Sequence, residues 1–216
     1  MCNHISVVRG VGFLSINPKV SRIVLFLLFF QILYSIAHHF NNLEVLSTHE
    51  IIGSDVFFEI IEPKELAYTY KIRPAQDFGT TFNATFSARN VPLVPAEPFY
   101  ACDQLDNSDE LYGNIALVER GECSFLTKSL NVEKAGALAI IVSDYDKDND
   151  DLYIEMIDDN TFRQVNIPAG FLLGKNGYII KTTLERLKRR YALINLPVNM
   201  TYVPLNKFNQ PPWLGW

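Results

Sequence analysis

Histidine is missing from position 50 to the end of this 216-residue chain; the four present are His4, His38, His39 and His49. That absence excludes a Ser-His-Asp or Cys-His arrangement built within the folded body. It also excludes His-ligated zinc there, HExxH sites included. No G-x-S-x-G occurs. Gly174-Lys175-Asn176 lacks the upstream glycine loop and the Ser/Thr of a phosphate-binding loop. No apolar run approaches the ~20 residues that a membrane-spanning helix needs. A net charge of -5 gives no footing for nucleic acid.

What is present is ordinary globular composition, 48% hydrophobic and 20% charged, which fits neither disorder nor an all-membrane protein. The length suits one domain with a full core. Charge is unevenly spread. Residues 1–37 hold Arg9, Lys19 and Arg22 and no acid, so the remainder has 16 basic residues against 24 acidic ones. A basic start on an acidic body reads as targeting. Ile23–Ile36 is an apolar run of 14 residues interrupted by Gln31 and Ser35. Small residues at Ser35 and Ala37 follow the signal-peptidase pattern. The expectation is a signal peptide over 1–37, cut after Ala37, with an uncleaved anchor as the alternative. The C-terminal Trp213-Leu-Gly-Trp216 does not match a KDEL-type signal. The expected destination is outside the cell, through the endoplasmic reticulum and Golgi.

Cys2 would leave with the signal peptide. Cys102 and Cys123 remain, an even pair in an oxidising compartment. A disulfide there would contribute ~3 kcal/mol by loop entropy. The alternative, Cys123 as a nucleophile, lacks an activating base. Asn83-Ala-Thr85 and Asn199-Met-Thr201 are glycosylation sequons, and Asn199, between Pro197 and Pro204, reads as the more exposed.

Val56–Ile61 and Leu66–Ile72 read as strands around a turn at Glu62–Glu65. Pro74–Pro98 reads as a loop with short strands. Asn114–Glu119 and the wholly apolar Ala137–Ser143 read as buried strands, and Ile167–Leu173 as a third. Ser124 caps a helix running to about Ala135, with Gly136 as its C′ residue. Ile180, Leu184 and Leu187 recur at helical spacing, so a second helix follows Gly177. Ala192–Leu196 and Val198–Val203 return as strands. The sum is a mixed α/β core.

Several motifs carry a sharper and a plainer reading. Asp144, Asp146, Asp148 and Glu155 occupy positions 1, 3, 5 and 12 of an EF-hand loop. Asn149 replaces the turn glycine, Asp151 stands where a hydrophobic residue belongs, and a strand precedes, so the plainer reading is a solvated acidic loop. Arg186-Leu-Lys-Arg189 fits a dibasic processing site, or cations at a helix C-terminus. His38-His39 at a new amino terminus would suit copper, or form a flexible end. Gln210–Trp216 is either an exposed aromatic contact or a tail that folds back.

Ala101-Cys102, the stretch Ile115-Ala-Leu-Val-Glu-Arg-Gly-Glu-Cys-Ser-Phe125, Lys128, and Ala135-Gly-Ala-Leu-Ala-Ile-Ile-Val-Ser-Asp144 together resemble the protease-associated domain. The likeness covers roughly residues 80–200. It implies a swivelling β/β/α fold with a sheet-rich core flanked by short helices, and contact with proteins or peptides in place of chemistry. It implies Cys102–Cys123 pairing and a glycan on Asn199, though not on Asn83. The expected organisation is a signal peptide (1–37), N-terminal strands (38–79), a protease-associated core (80–200) and an aromatic tail (201–216). The expected function is that of a secreted, non-catalytic glycoprotein with no cofactor, no metal and no stable membrane insertion. Its partner would be an extracellular or secretory-pathway protein. The alternatives are a calcium-binding module using Asp144–Glu155 and a hydrolase with an unrecognised site.

Overall fold

The computed structural model describes residues 28–35, 55–82, 85–204 and 207–214. The chain divides into two compact units, Met1–Ser47 and Thr48–Trp216. In the first, residues 28–35 form an exposed helix, α1, within the apolar run. No helix among the described residues is long and apolar enough to cross a membrane.

The second unit holds β1 (Val56–Glu62), β2 (Thr69–Pro74), β3 (Ala88–Pro95), α2 (Ser108–Leu111), β4 (Ile115–Glu119), α3 (Phe125–Lys134), β5 (Ala139–Ser143), β6 (Ala169–Leu172), α4 (Gly174–Arg186) and β7 (Ala192–Val198). The strands close into a barrel in the order β1-β2-β6-β5-β4-β3-β7. Strands β3, β4, β5 and β6 run parallel to one another. Strands β1, β2 and β7 pair antiparallel. The sheet-rich core with short helices is as expected; its closure is not visible in the sequence.

Side-chain alternation along a strand puts successive residues on opposite faces. On β4, Ile115 and Leu117 join a cluster with Phe58, Tyr70, Ile194 and α4's Ile180 and Leu184. Ala116 and Val118 join another with α3's Leu126 and Val132 and with Met156 and Val165 of the long β5–β6 segment. Strand β5 divides likewise, Ile141 against Ile140 and Val142. Both faces are covered, which is why these strands are continuously apolar.

Three expectations need correction, and one helix, α2, went unread. Pro74–Pro98, expected as a loop with short strands, contains the eight-residue β3, in which Pro92 pairs with Leu193 of β7 and Pro95 forms the last pair with β4. Helix α2 carried no apolar period. Helix α4 begins at Gly174, not after Gly177. Gly177 is a packing position instead of a breaker: a Cβ there would lie 2.2 Å from Ser143 Cβ. Strand β7 ends at Val198, and residues 199–203 form no strand. Pro197 is tolerated inside β7 because the β1 register is irregular around it, from Glu59↔Asn195 to Phe57↔Val198.

Candidate functional site

Parallel alignment brings the C-terminal ends of β3, β4, β5 and β6 to one end of the barrel. Beyond the carboxyl ends of parallel strands is where such sheets place their sites. Four segments meet there: residues 96–107, Arg120–Ser124, residues 144–168, and Leu173 at the start of α4.

Glu119 pairs with Ser143 as β4 and β5 end together, so the residues that follow are neighbours. Arg120 N–H donates to Ser143 O at 2.8 Å. Its guanidinium Nη1 donates to Asp144 Oδ1 at 3.0 Å. Asp144 is buried, and its carboxylate also accepts from Tyr145 N (2.9 Å) and Asn149 Nδ2 (2.8 Å). A buried carboxylate needs such partners. The Arg120 guanidinium lies 5.1 Å from the centroid of the exposed Tyr145 ring.

Cys102 and Cys123 form a disulfide, which ties residues 96–107 to the β4–α3 turn. That turn passes through Gly121 at φ +114°, a conformation that favours glycine. Ser124 caps α3 as expected, its Oγ accepting from Thr127 N at 3.1 Å. Lys128, one turn further, is fully buried. Its Nζ donates to Tyr100 O and Gly121 O, both at 2.6 Å, and lies 3.6 Å from Cys102 Sγ. Burial pulls this ammonium down to about 8, while Glu119 and Glu122 push it back up. Tyr100 is held above the ordinary phenol range, chiefly by its hydrogen bond with Glu119.

The acidic segment is internally satisfied. Asp146 Oδ1 accepts from Asp148 N, Lys175 pairs with Asp150 at 2.8 Å, and Lys175 N donates to Asn149 O. Asn149 closes the turn onto Leu152 through both side-chain atoms. Among the described residues no group of three His, Cys, Asp or Glu side chains converges to hold a metal. Within the EF-hand spacing of Asp144–Glu155, the first position, Asp144, is the ion-pair partner of Arg120, and Asn149 at the turn position is latched onto Leu152. Further along, Asp159 accepts from Ser124 Oγ (2.5 Å) and pairs with Arg163 (2.6 Å), which also donates to Thr127 Oγ1. Hydrogen bonds from Ser124 and then Thr161 hold its carboxyl down to about 2.

Arg120, Gly121, Glu122, Cys123, Ser124, Phe125 and Tyr145 surround an open depression of about 390 Å³. Cationic, aromatic and carboxylate groups edge it, a set suited to holding a ligand non-covalently.

The other marked residues fall elsewhere. Asn199 is exposed just past β7, and its Oδ1 accepts from Thr201 N and Oγ1. Asn83, His38, His39, His49 and Trp216 lie outside the described residues. Trp213 folds back: its Nε1 donates to the buried Asn176 Oδ1 at 2.8 Å and its ring meets Tyr68 edge-on at 5.3 Å. Asn209 on the same segment exchanges bonds with Thr69 N and Ala67 O. Arg186 closes the last turn of α4, and beyond it Arg189 pairs with Glu62 and Arg190 with Glu110. The sequence marks Lys128 only through the family resemblance and Asp144 also as an acidic-loop position; neither the burial of Lys128 nor the Arg120–Asp144 pair follows from it. The joint ending of β4 and β5 is the one signal that points to the pair.

Residues 89–180 match the PA domain. The chain is 56% identical over 173 residues to a PRADC1-like protein of Drosophila melanogaster, covering 79% of this chain and 87% of that one. It is 32% identical over 126 residues to the ER degradation-enhancing alpha-mannosidase-like protein 3 of Xenopus laevis, covering 56% of this chain and 14% of that longer one. Among solved structures, a zinc aminopeptidase from Bacillus subtilis superposes on 66% of this chain and 29% of its own, with 16% identity and a TM-score of 0.45.

Proposed function

Because the chain belongs to the protease-associated domain family, we propose that it is a secreted, non-catalytic glycoprotein that binds a protein or peptide at the C-terminal end of its parallel strands. The observation that carries this reading is the depression edged by Arg120, Phe125 and Tyr145. Its framework is fixed on both sides, by the disulfide and by the Arg120–Asp144 pair. Tyr145 is exposed, while Phe125 is half-buried against the core; an exposed aromatic ring on a fixed framework makes a good anchor, since little side-chain entropy is lost when it is covered. The swivelling β/β/α arrangement is part of the same reading, supported by the parallel β3–β6 stretch with α3 on one of its clusters and α4 on the other.

Secretion rests on the leader pattern of residues 1–37, and glycosylation on Asn199 and Asn83. The exposure of Asn199 supports its use. The intact mass of protein from culture medium, before and after deglycosylation, is expected to start at His38 and to lose glycan mass. A cell-bound product retaining residues 1–37 would sink the secretion half of the reading.

The binding half is tested with tagged protein and its Tyr145→Ala variant, applied to medium and cell surfaces. The expected result is a specific partner whose affinity for the variant drops at least about tenfold, an ordinary loss for an interface anchor. Equal binding by both proteins would move the contact away from this end of the barrel.

A further inference from the structure

The two sulfurs of the disulfide stand in unlike surroundings. Cys123 lines the open depression, and Cys102 is not among its lining residues. Cys102 Sγ lies 3.6 Å from the Nζ of buried Lys128. An ammonium has three N–H donors and no acceptor. Two of those on Lys128 go to Tyr100 O and Gly121 O, and Cys102 Sγ is the acceptor left for the third. A disulfide sulfur accepts weakly, whereas a thiolate forms a charge-assisted bond. The ammonium therefore gains most when the disulfide opens with the electron pair on Cys102. Glu119 of β4 and Glu122 of the β4–α3 turn act on the same ammonium from the opposite sign, and they help to keep it protonated.

We infer that the disulfide reacts with a fixed polarity: a low-molecular-weight thiol attacks Cys123 Sγ from the depression, and Cys102 departs as a thiolate stabilised by Lys128. In the first step the incoming thiolate forms a bond to Cys123 Sγ as the Cys123–Cys102 bond breaks, and the electron pair leaves on Cys102. In the second, another thiolate attacks the mixed disulfide at the external sulfur. That step releases the oxidised small disulfide, and Cys123 takes a proton from solvent. Two thiols are oxidised and one disulfide is reduced. A better-stabilised leaving thiolate departs faster, and the choice of attacked sulfur follows it. Cys123 is thus the modification site for thiols of the glutathione class, and opening it frees residues 96–107 from the β4–α3 turn. This inference does not depend on the binding partner.

The test uses the folded, oxidised protein exposed briefly to glutathione, quenched in acid, alkylated and mapped by peptide mass spectrometry. Glutathione on Cys123 with the alkyl label on Cys102 is expected to exceed the reverse pattern by at least about tenfold. An even split, or preference for Cys102, would overturn the inference. Equilibration in glutathione redox buffers gives a second readout. Lys128→Met is expected to move the equilibrium toward the disulfide at least about tenfold, or ~30 mV, with Lys128→Arg closer to the unaltered protein. An unchanged equilibrium in a folded Lys128→Met protein would also overturn it. The site of attack is measured on the unaltered chain, so it decides the matter alone if that variant does not fold.

Discussion

The two halves of the barrel solve the burial problem differently. Strands β4 and β5 are covered on both faces, and nine of their ten residues are buried. Strands β2 and β7 alternate instead: β7 reads buried, half-buried, buried, half-buried, buried from Ala192 to Leu196. A strand covered on both faces has no tolerant side, whereas a half-covered one has a face that absorbs change.

Substitution of adjacent residues sharpens that contrast most. Ile140→Ala and Ile141→Ala on β5 face opposite clusters and are both fully buried. Each is expected to cost ~2–5 kcal/mol in urea unfolding. On β7, Ile194→Ala should fall in the same range and its neighbour Leu193→Ala below about 1 kcal/mol. Equal costs for the two β7 neighbours would break the comparison.

The antiparallel half has a cover of its own in the C-terminal segment. Trp213→Ala removes the Nε1–H donated to Asn176 Oδ1. The buried Asn176 Nδ2 already lacks a hydrogen-bond partner, so the variant leaves this amide without its one described partner. A loss of ~1–3 kcal/mol is expected from the unsatisfied group. A melting temperature unchanged in Trp213→Ala would show that the tail merely rests on β1 and β2.

The smallest effect lies where the parallel half meets its long loop. The Asp159 carboxyl is held down to about 2, below its ordinary value near 4. The unfolded chain therefore binds the proton first as pH falls, and the stability contributed by ionised Asp159 is fully present above about 4. It is lost as pH drops toward 2. Asp159→Asn is expected to flatten that part of the stability-versus-pH curve slightly while leaving the neutral region's slope unchanged. An identical acid limb in both proteins would release the loop from any role at the α3 cap.

Legibility follows the same division. β4, β5 and the Ser124 cap were readable because each announces itself locally, by an apolar run or by a hydroxyl before a helical period. β3 was hidden by Pro92 and Pro95, and barrel closure depends on pairings such as Ala88↔Leu196, which no local pattern records. In the site, the disulfide was legible from two cysteines and a compartment. Lys128 was not, because a lysine on a short helix looks solvated until the carbonyls of Tyr100 and Gly121 are brought over it. Asp144 hid its partner for a related reason. Its spacing to other acids is local, while its true partner, Arg120, arrives through the β4–β5 register.

Closure of the sheet bears finally on how this chain behaves among other chains. Among the described residues every strand has a hydrogen-bonded neighbour on each side, with β2 meeting β6 over two residue pairs and β3 meeting β4 over three. Closure leaves a partner strand little edge to extend, which shifts the weight of recognition toward side chains on the connecting segments. For the same reason a crowded population of identical copies finds only short stretches of strand edge as a template for edge-to-edge growth into fibrils.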